Sequence, residues 1–181
     1  MRKTIKNKRQ QGFSIIEVLI VLAIAGLLMA VIFIAVPQLQ RNARDSTRQN
    51  LVNRLKSEME TYSSNNQGRY PLDFTACAAT NTGRWCDFFN RYVNDKIDVV
   101  DPSTGANVVS ATIGTPAGFR QADGAAAASL PAAAGDVTIF RGAKCDGESV
   151  AASGTANATT KNFAMVIGLD RAGTRYCLDN G

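Results

Sequence analysis

Residues 13–36 read FSIIEVLIVLAIAGLLMAVIFIAV. The 19 residues from Val18 to Val36 carry no charge and no strongly polar side chain, and Glu17 is the single charged residue of the stretch. An α-helix of that length is about 28 Å long, which is close to the thickness of the hydrocarbon core of a bilayer. The stretch therefore predicts one membrane-spanning helix with a carboxylate near its start.

The segment in front of this helix is basic. Residues 1–12, MRKTIKNKRQQG, contain five Lys and Arg residues and no acid, and the positive-inside rule keeps such a segment in the cytoplasm. A secretory signal peptide has a shorter apolar region, typically about 7–15 residues, which argues against one here. A plain single-pass anchor is the better alternative, but it explains neither Glu17 nor the abrupt change from KRQQG to Phe13. The rest of the chain should face outward.

Three residues at this junction stand in a register that resembles a known leader. Basic residues, then Gly12, Phe13 and, four residues later, Glu17, followed by the apolar run, resemble the class III leader of type IV pilins and type II secretion pseudopilins. The resemblance covers about residues 1–40. It implies that a membrane-embedded aspartyl prepilin peptidase cleaves between Gly12 and Phe13 on the cytoplasmic side. It also implies that the new N-terminus, Phe13, is methylated.

The residue types fit these roles. Gly12 has no Cβ to obstruct a peptidase, although a simple boundary glycine is the alternative. Glu17 needs a partner, because an acid at the centre of a membrane helix costs roughly 2.5–3.5 kcal/mol, and less in the first turn. The amine created at Phe13 is the natural partner, on the same chain or on a neighbour in a filament. The alternative is that an acid is simply favourable at a helix N-terminus.

Small residues recur inside the apolar run. Ala23, Gly26 and Ala30 follow one another at three-to-four-residue spacing, which lets helix backbones approach closely in an apolar environment. Chance is the alternative, since small residues are common in such helices. We expect Gly26 to contribute to filament assembly together with Phe13 and Glu17.

Residues 37–66 predict the amphipathic half of the same helix. Apolar residues recur every three to four positions, and Asn65, Asn66 and Gly68 supply a stop. These apolar positions are Leu51 or Val52, Leu55, Met59 and Tyr62. Pro37 should kink or locally break the helix. The resembled family often has a proline where this chain has Ile34, so the place of the bend is open.

Residues 67–181 predict an extracytoplasmic head with a small antiparallel sheet of three or four strands. The fold class is therefore α+β, a pilin-like lollipop: the apolar half of the helix is exposed, and the second half packs on the head. The predicted strands are VVSATI (108–113), DVTIFRGAKC (136–145), NFAMVIGLD (162–170) and TRYCLD (174–179). The clearest hairpin is 163–178, with its turn at Asp170 to Gly173.

Other parts of the head are predicted from local composition. WCDFFNRYVN (85–94) predicts a short helix whose aromatic residues pack in the core, and DPSTG (101–105) predicts a turn. The small-residue tracts ADGAAAASLPAAAG (122–135) and SVAASGTANATTK (149–161) predict surface loops.

The four cysteines all fall in the part predicted to lie outside. An even number in an oxidising compartment favours disulfides, and three pairings are possible. We predict Cys77–Cys86 and Cys145–Cys177, because each pair stays within one local region. A cysteine near the C-terminus that closes a loop also resembles the type IV pilin head.

Catalysis, metal binding and cofactor binding find no support in the sequence. The chain contains no histidine and no CxxC spacing, GxSxG or phosphate-binding glycine loop, so we expect no enzyme, no metal and no cofactor. Asp146 with Glu148, or Asp170 with Asp179, could hold Ca²⁺, but solvated turn acids are the simpler interpretation.

The net charge of +5 does not indicate a nucleic-acid-binding protein. Five of the 20 Lys and Arg residues lie in residues 1–12 and all 15 acids lie beyond them, so the remainder is formally balanced.

The expected function is that of a filament subunit. The precursor would sit in the cytoplasmic membrane, contact lipid, and meet prepilin peptidase, an assembly platform and its ATPase. The mature chain would form a homo-oligomeric helical filament at the cell surface, and the resemblance implies adhesion, twitching motility or DNA uptake. The alternatives are a pseudopilin of type II secretion and a membrane-anchored extracellular binding module.

Overall fold

The computed structural model describes residues 12–73, 83–94, 96–109, 119–124, 130–131, 133–153 and 161–181. It divides the chain into two compact units, Met1–Gln40 and Arg41–Gly181. Helix α1, Ile15–Asn65, contributes residues to both units.

In the first unit, the apolar side chains of α1 are exposed on every side of the helix. Ile15 is 81% exposed, Leu22 63% and Phe33 80%. An 18-residue window of the helix has a mean hydropathy of 3.2, and by length and composition the helix is able to cross a membrane. Pro37 lies inside α1, and the α-helix continues through it. The kink at Pro37 stays a prediction.

In the second unit, one face of α1 is buried in the head. This confirms the predicted amphipathic pattern, because the apolar positions at three-to-four spacing are the buried ones. They are Leu51, Val52, Leu55, Met59 and Tyr62.

The helix ends where the sequence predicts a stop. The N–H of Gly68 donates to the carbonyl of Ser63 at 2.8 Å, which is the long hydrogen bond of a Schellman motif. Gln67 occupies the left-handed position of this motif with φ +58°. Glycine would adopt that conformation with less strain.

A short helix begins shortly after residues 74–82, which lie outside the described part of the head. Helix α2, Arg84–Phe88, continues into a π-helical turn, Phe89–Val93. Trp85 and Phe88 are fully buried, while Phe89 and Tyr92 are partly buried against the same core. Core packing is therefore the role of these aromatic residues, as predicted.

In the part of the head that the structure describes, six strands form two sheets. They are β1 (Phe119–Asp123), β2 (Val137–Arg141), β3 (Ala143–Asp146), β4 (Ser149–Ala152), β5 (Phe163–Gly168) and β6 (Arg175–Asp179). The larger sheet has the order β1-β2-β5-β6, and β3 pairs with β4 in a separate hairpin. The β5–β6 hairpin is antiparallel, with its turn at the predicted residues.

The predicted α+β class with a small sheet is confirmed, and the strands differ from the prediction in their number and in one pairing direction. β1 pairs with β2 in parallel, so the larger sheet is mixed. The segment 136–145 forms two strands rather than one, because Gly142 breaks it with φ +69°. β4 lies in a tract that was predicted to be a loop. Of the predicted strand 108–113, the structure describes Val108 and Val109, which belong to no strand, and the other four residues lie outside the described part.

The sheet has apolar residues on both faces. On one face, Ile139, Phe163 and Met165 share a core with the buried residues of α1. On the other face, Phe140 and Val166 pack with Val150 of β4. This second core explains why the small-residue segment of β4 forms a strand. The side chain of Val150 is buried in the core, and β3 provides the backbone hydrogen bonds.

The predicted disulfide Cys145–Cys177 is present. It joins β3 to β6 with a Cα–Cα distance of 5.7 Å. Cys86 is buried and disulfide-bonded. The predicted pair Cys77–Cys86 involves Cys77, which lies outside the described residues.

Removing the Cys145–Cys177 bridge should destabilise the head. A Cys145→Ala/Cys177→Ala variant should lose roughly 3–4 kcal/mol of unfolding free energy, because the unfolded chain is no longer closed over a separation of 32 residues. Fluorescence of Trp85, the only tryptophan and a fully buried one, reports denaturant unfolding of the full chain in detergent. Lys144→Ala, an exposed neighbour, is the control. A loss below about 1 kcal/mol would contradict the expectation.

Candidate functional site

The N-terminal end of α1 holds the residues of the predicted processing and assembly site. Gly12, Phe13 and Ser14 precede the helix and are exposed. The N–H of Ser14 donates to Oε2 of Glu17 at 3.0 Å. In return, the carbonyl of Ser14 accepts from the N–H of Glu17 at 3.1 Å. The acid thus satisfies a backbone donor at the helix start.

This geometry matches half of a capping box, in which an acid three residues after the N-cap bonds back to the N-cap N–H. The sequence Ser14-Ile15-Ile16-Glu17 carries the signal S-x-x-E, which the prediction of a partner at Phe13 did not use. A structural role for Glu17 therefore stands beside the proposed role in assembly.

The other predicted assembly residue lies further along the same helix. A Cβ built on Gly26 meets no atom within 4 Å, and the same is true of Gly12. Neither glycine is needed for packing within the described part of the chain. Cleavage after Gly12, methylation of Phe13 and assembly through Phe13, Glu17 and Gly26 remain predictions.

A buried ion-pair cluster in the head was not predicted from the sequence. Arg48 of α1 is fully buried, and it donates from Nε to Oδ2 of Asp101 at 2.7 Å and from Nη1 to Oδ1 of Asp170 at 2.6 Å. Nη1 also reaches Oδ1 of Asp45 at 3.0 Å, and Nη2 donates to Oγ of Ser103 at 3.0 Å. One guanidinium thus joins the helix to the 101–105 turn and to the β5–β6 turn.

Three carboxylates lie around Arg48, and those of Asp101 and Asp170 have further partners. Asp170 accepts two hydrogen bonds from Arg44, the one from Nε at 2.7 Å. Oδ1 of Asp101 accepts from the backbone N–H groups of Ser103 and Thr104 at 2.9 and 3.0 Å. Asp170 was predicted to be a solvated turn acid. That prediction was wrong, because its side chain is only 10% exposed and ion-paired.

The cluster holds its groups in the charged state. Burial alone would raise the pKa of Asp101, but the hydrogen bonds from Arg48 and Ser103 outweigh it and hold that pKa well below its usual range. Burial would also raise the pKa of Asp170, but the hydrogen bonds from Arg44 and Arg48 outweigh it, so that the pKa is lowered. Burial would lower the pKa of Arg48, but Asp101 and Asp170 raise it.

The cluster is structural rather than catalytic in its chemistry. Its cations are saturated by carboxylates, and the described residues contain no group of three or more His, Cys, Asp or Glu side chains that could hold a metal ion. Asp179, the other predicted turn acid, accepts a hydrogen bond from the N–H of Cys145 at 2.7 Å and so joins the two sheets.

Comparison with known proteins bears on the N-terminal segment. Residues 7–33 match the family model described as the prokaryotic N-terminal methylation motif. No curated protein and no solved structure matches the chain. The matched range contains Gly12, Phe13 and Glu17 in the register described above, and it supports the resemblance of the N-terminal segment to the class III signal peptide of type IV pilin-like proteins.

Proposed function

We propose that this chain is the structural subunit of a type IV pilus filament. Prepilin peptidase cleaves it after Gly12 and methylates Phe13, and an assembly platform with its ATPase extracts it from the membrane into a homo-oligomeric fibre. The single observation that supports this most is the methylation motif on a helix with exposed apolar side chains on every side.

Such a helix needs an apolar environment. A helix that is apolar all round belongs in a membrane or in the core of an assembly. Lipid covers residues 13–36 in the precursor, and the same segment of neighbouring subunits covers them in the filament. One surface serves both states because lipid tails and apolar side chains are equally apolar.

The charge at the start of the helix gives the assembly its register. Cleavage converts the amide of Phe13 into a free amine, and Glu17 of an incoming subunit meets that amine on its neighbour. In a low-dielectric fibre core, an unpaired carboxylate is costly, so a subunit that slips out of register is disfavoured.

The head supplies the outer layer of the filament and plays no part in catalysis. Its disulfide and its buried ion-pair cluster make it a rigid unit that can be moved from the membrane to the surface without unfolding. The proposed sites are therefore the cytoplasmic membrane for the precursor and the cell surface for the mature chain.

The test is N-terminal mass mapping of the protein in material sheared from the surface of its native host. A mature chain that starts at methylated Phe13, found in fibres, is the expected result. An intact N-terminus confined to the membrane fraction would overturn the proposal and leave an anchored extracellular module. A mature chain in short periplasmic polymers, with no surface fibre, would assign the subunit to type II secretion instead.

Processing should depend on the residue at position 12. Gly12→Val should leave the precursor uncleaved, because a branched side chain obstructs the peptidase while the chain itself has room for it. Intact-mass measurement of membrane extracts checks this. Gly26→Val, which also meets no atom in the chain, is the matched control and should be cleaved normally. Full cleavage of Gly12→Val would show that the site lies elsewhere.

A further inference from the structure

A polar pocket lies where α1 ends, and it shares no lining residue with the ion-pair cluster. It has a volume of about 310 Å³, which is at the lower end of the range for small-molecule sites. Its lining residues are Tyr62, Asn65, Asn66, Gln67, Arg69 and Arg84. Five of the six are polar amides or guanidiniums, so the pocket suits a polar ligand.

Among the described residues, the pocket carries one positive charge that no carboxylate balances. Arg84 is near Asp73, with 3.8 Å between Nε and Oδ2. Arg69 is exposed, and no carboxylate of the described residues lies within ion-pair distance of it. The balance of charge at the pocket therefore favours a ligand with a single negative charge.

The amides of the pocket have unused acceptors. Nδ2 of Asn65 donates to Oη of Tyr92 at 2.9 Å, and Nδ2 of Asn66 donates to the carbonyl of Tyr62 at 2.8 Å. These bonds fix both amide groups, and in the part of the chain that the structure describes their Oδ1 atoms accept none. Hydroxyl groups of a ligand can donate to such fixed oxygens.

Gln67 is the second sign of a site here. It holds the left-handed position at the end of α1, with φ +58°, where glycine would be less strained. A side chain kept at a strained backbone position is an observation that points to function. In this pocket, the side chain adds a third amide to the lining.

We propose that this pocket binds a small hydroxylated carboxylate, of the class of acidic sugars. A guanidinium binds a carboxylate through two parallel hydrogen bonds, and amides complement hydroxyl groups because both donate and accept. The single unbalanced charge matches a carboxylate better than a phosphate group, which carries about −1.5 to −2 at pH 7. The inference does not depend on whether the chain forms a filament.

The experiment is isothermal titration of the full chain in detergent micelles with sodium glucuronate, glucose and inorganic phosphate. Glucuronate should bind at least tenfold more tightly than glucose, and phosphate should not displace it. Arg69→Ala should weaken glucuronate binding at least tenfold, while Arg54→Ala, an exposed arginine on α1 about 18 Å along the helix from Asn66, should leave it unchanged.

A second variant separates binding from folding. Gln67→Gly should unfold at the same or a higher denaturant concentration, since it relieves the left-handed strain, and yet bind glucuronate less tightly. Tighter binding of an oligogalacturonate than of galacturonate, its monosaccharide unit, would identify a polysaccharide as the source of the ligand, and equal binding would identify the free sugar. Equal affinity for glucuronate and glucose, tighter binding of phosphate, or unchanged binding by Arg69→Ala would overturn the proposal.

Discussion

An Arg48→Met variant should lose about 3–5 kcal/mol of the unfolding free energy of the head. Arg48 is fully buried, and its removal leaves the carboxylates of Asp101 and Asp170 without their central partner. The loss comes mainly from the buried charge of Asp101, which is then uncompensated, because Asp170 keeps its ion pair with Arg44. The lost hydrogen bonds contribute the smaller part. Met keeps most of the side-chain volume, so a cavity is not the cause.

Arg48 lies where α1 contacts the 101–105 turn and the β5–β6 turn, so the loss of stability should arise at this contact. Gly135 packs so closely here that a Cβ built on it would lie 2.4 Å from Oδ2 of Asp101. The carboxylate of Asp101 is therefore closely packed, and it has little room to move into water when Arg48 is removed. A surface ion pair has that freedom, which is why such pairs typically contribute only about 0–1 kcal/mol.

The pH dependence identifies the mechanism. In the parent chain, the pKa values of Asp101 and Asp170 are lowered by folding. Their contribution is therefore present above the unfolded value near 3.9 and is lost as the pH falls below it. In Arg48→Met, burial acts without the guanidinium, so the carboxylates protonate more readily in the folded head. The difference between variant and parent should shrink from pH 7 to pH 3.

Denaturant unfolding followed by Trp85 fluorescence at both pH values measures this difference. Arg54→Met is the matched control, because Arg54 is an exposed arginine of the same helix, and it should change stability by less than about 0.5 kcal/mol. A loss below about 1 kcal/mol for Arg48→Met at pH 7, or the same loss at pH 3, would show that the cluster does not stabilise the head as charges.

Local patterns in the sequence were enough to predict much of this fold. The spacing of Leu55, Met59 and Tyr62 identified the buried face of α1, because helical periodicity is written in neighbouring residues. The β5–β6 hairpin and the Cys145–Cys177 bridge also lie within short stretches of chain. In each case, the partners are close in sequence.

The ion-pair cluster could not be predicted in the same way. Arg48 and Asp170 are 122 residues apart, and Arg48 and Asp101 are 53 residues apart. In the sequence, Arg48 is one of several basic residues that follow the membrane segment, and nothing local marks it as buried. The parallel pairing of β1 with β2 could not be predicted for the same reason. Whether two strands pair in parallel depends on the path of the chain between them, which local sequence patterns do not specify.

The capping signal at Ser14 and Glu17 could be predicted from the sequence, because both residues lie within one helical turn. A Glu17→Ala variant should insert into the membrane normally but form no filaments. Insertion should persist because loss of a charge makes a membrane helix more apolar. Loss of the capping bond costs about 0.5–2 kcal/mol, which is small for a helix of 51 residues. In the proposed filament, assembly should fail because the amine at Phe13 of each neighbour then has no carboxylate to meet.

The variant Glu17→Gln distinguishes charge from capping. Glutamine can make the same bond to the N–H of Ser14 as glutamate does, but it carries no charge. If the charge directs assembly, both variants should reach the membrane in normal amounts and both should lose sheared filaments, as measured by immunoblot and electron microscopy. Normal filaments from Glu17→Ala would remove Glu17 from assembly altogether. If Glu17→Gln forms filaments and Glu17→Ala does not, the role of Glu17 is that of a helix cap. Glutamine keeps the hydrogen bond to the N–H of Ser14 but not the charge.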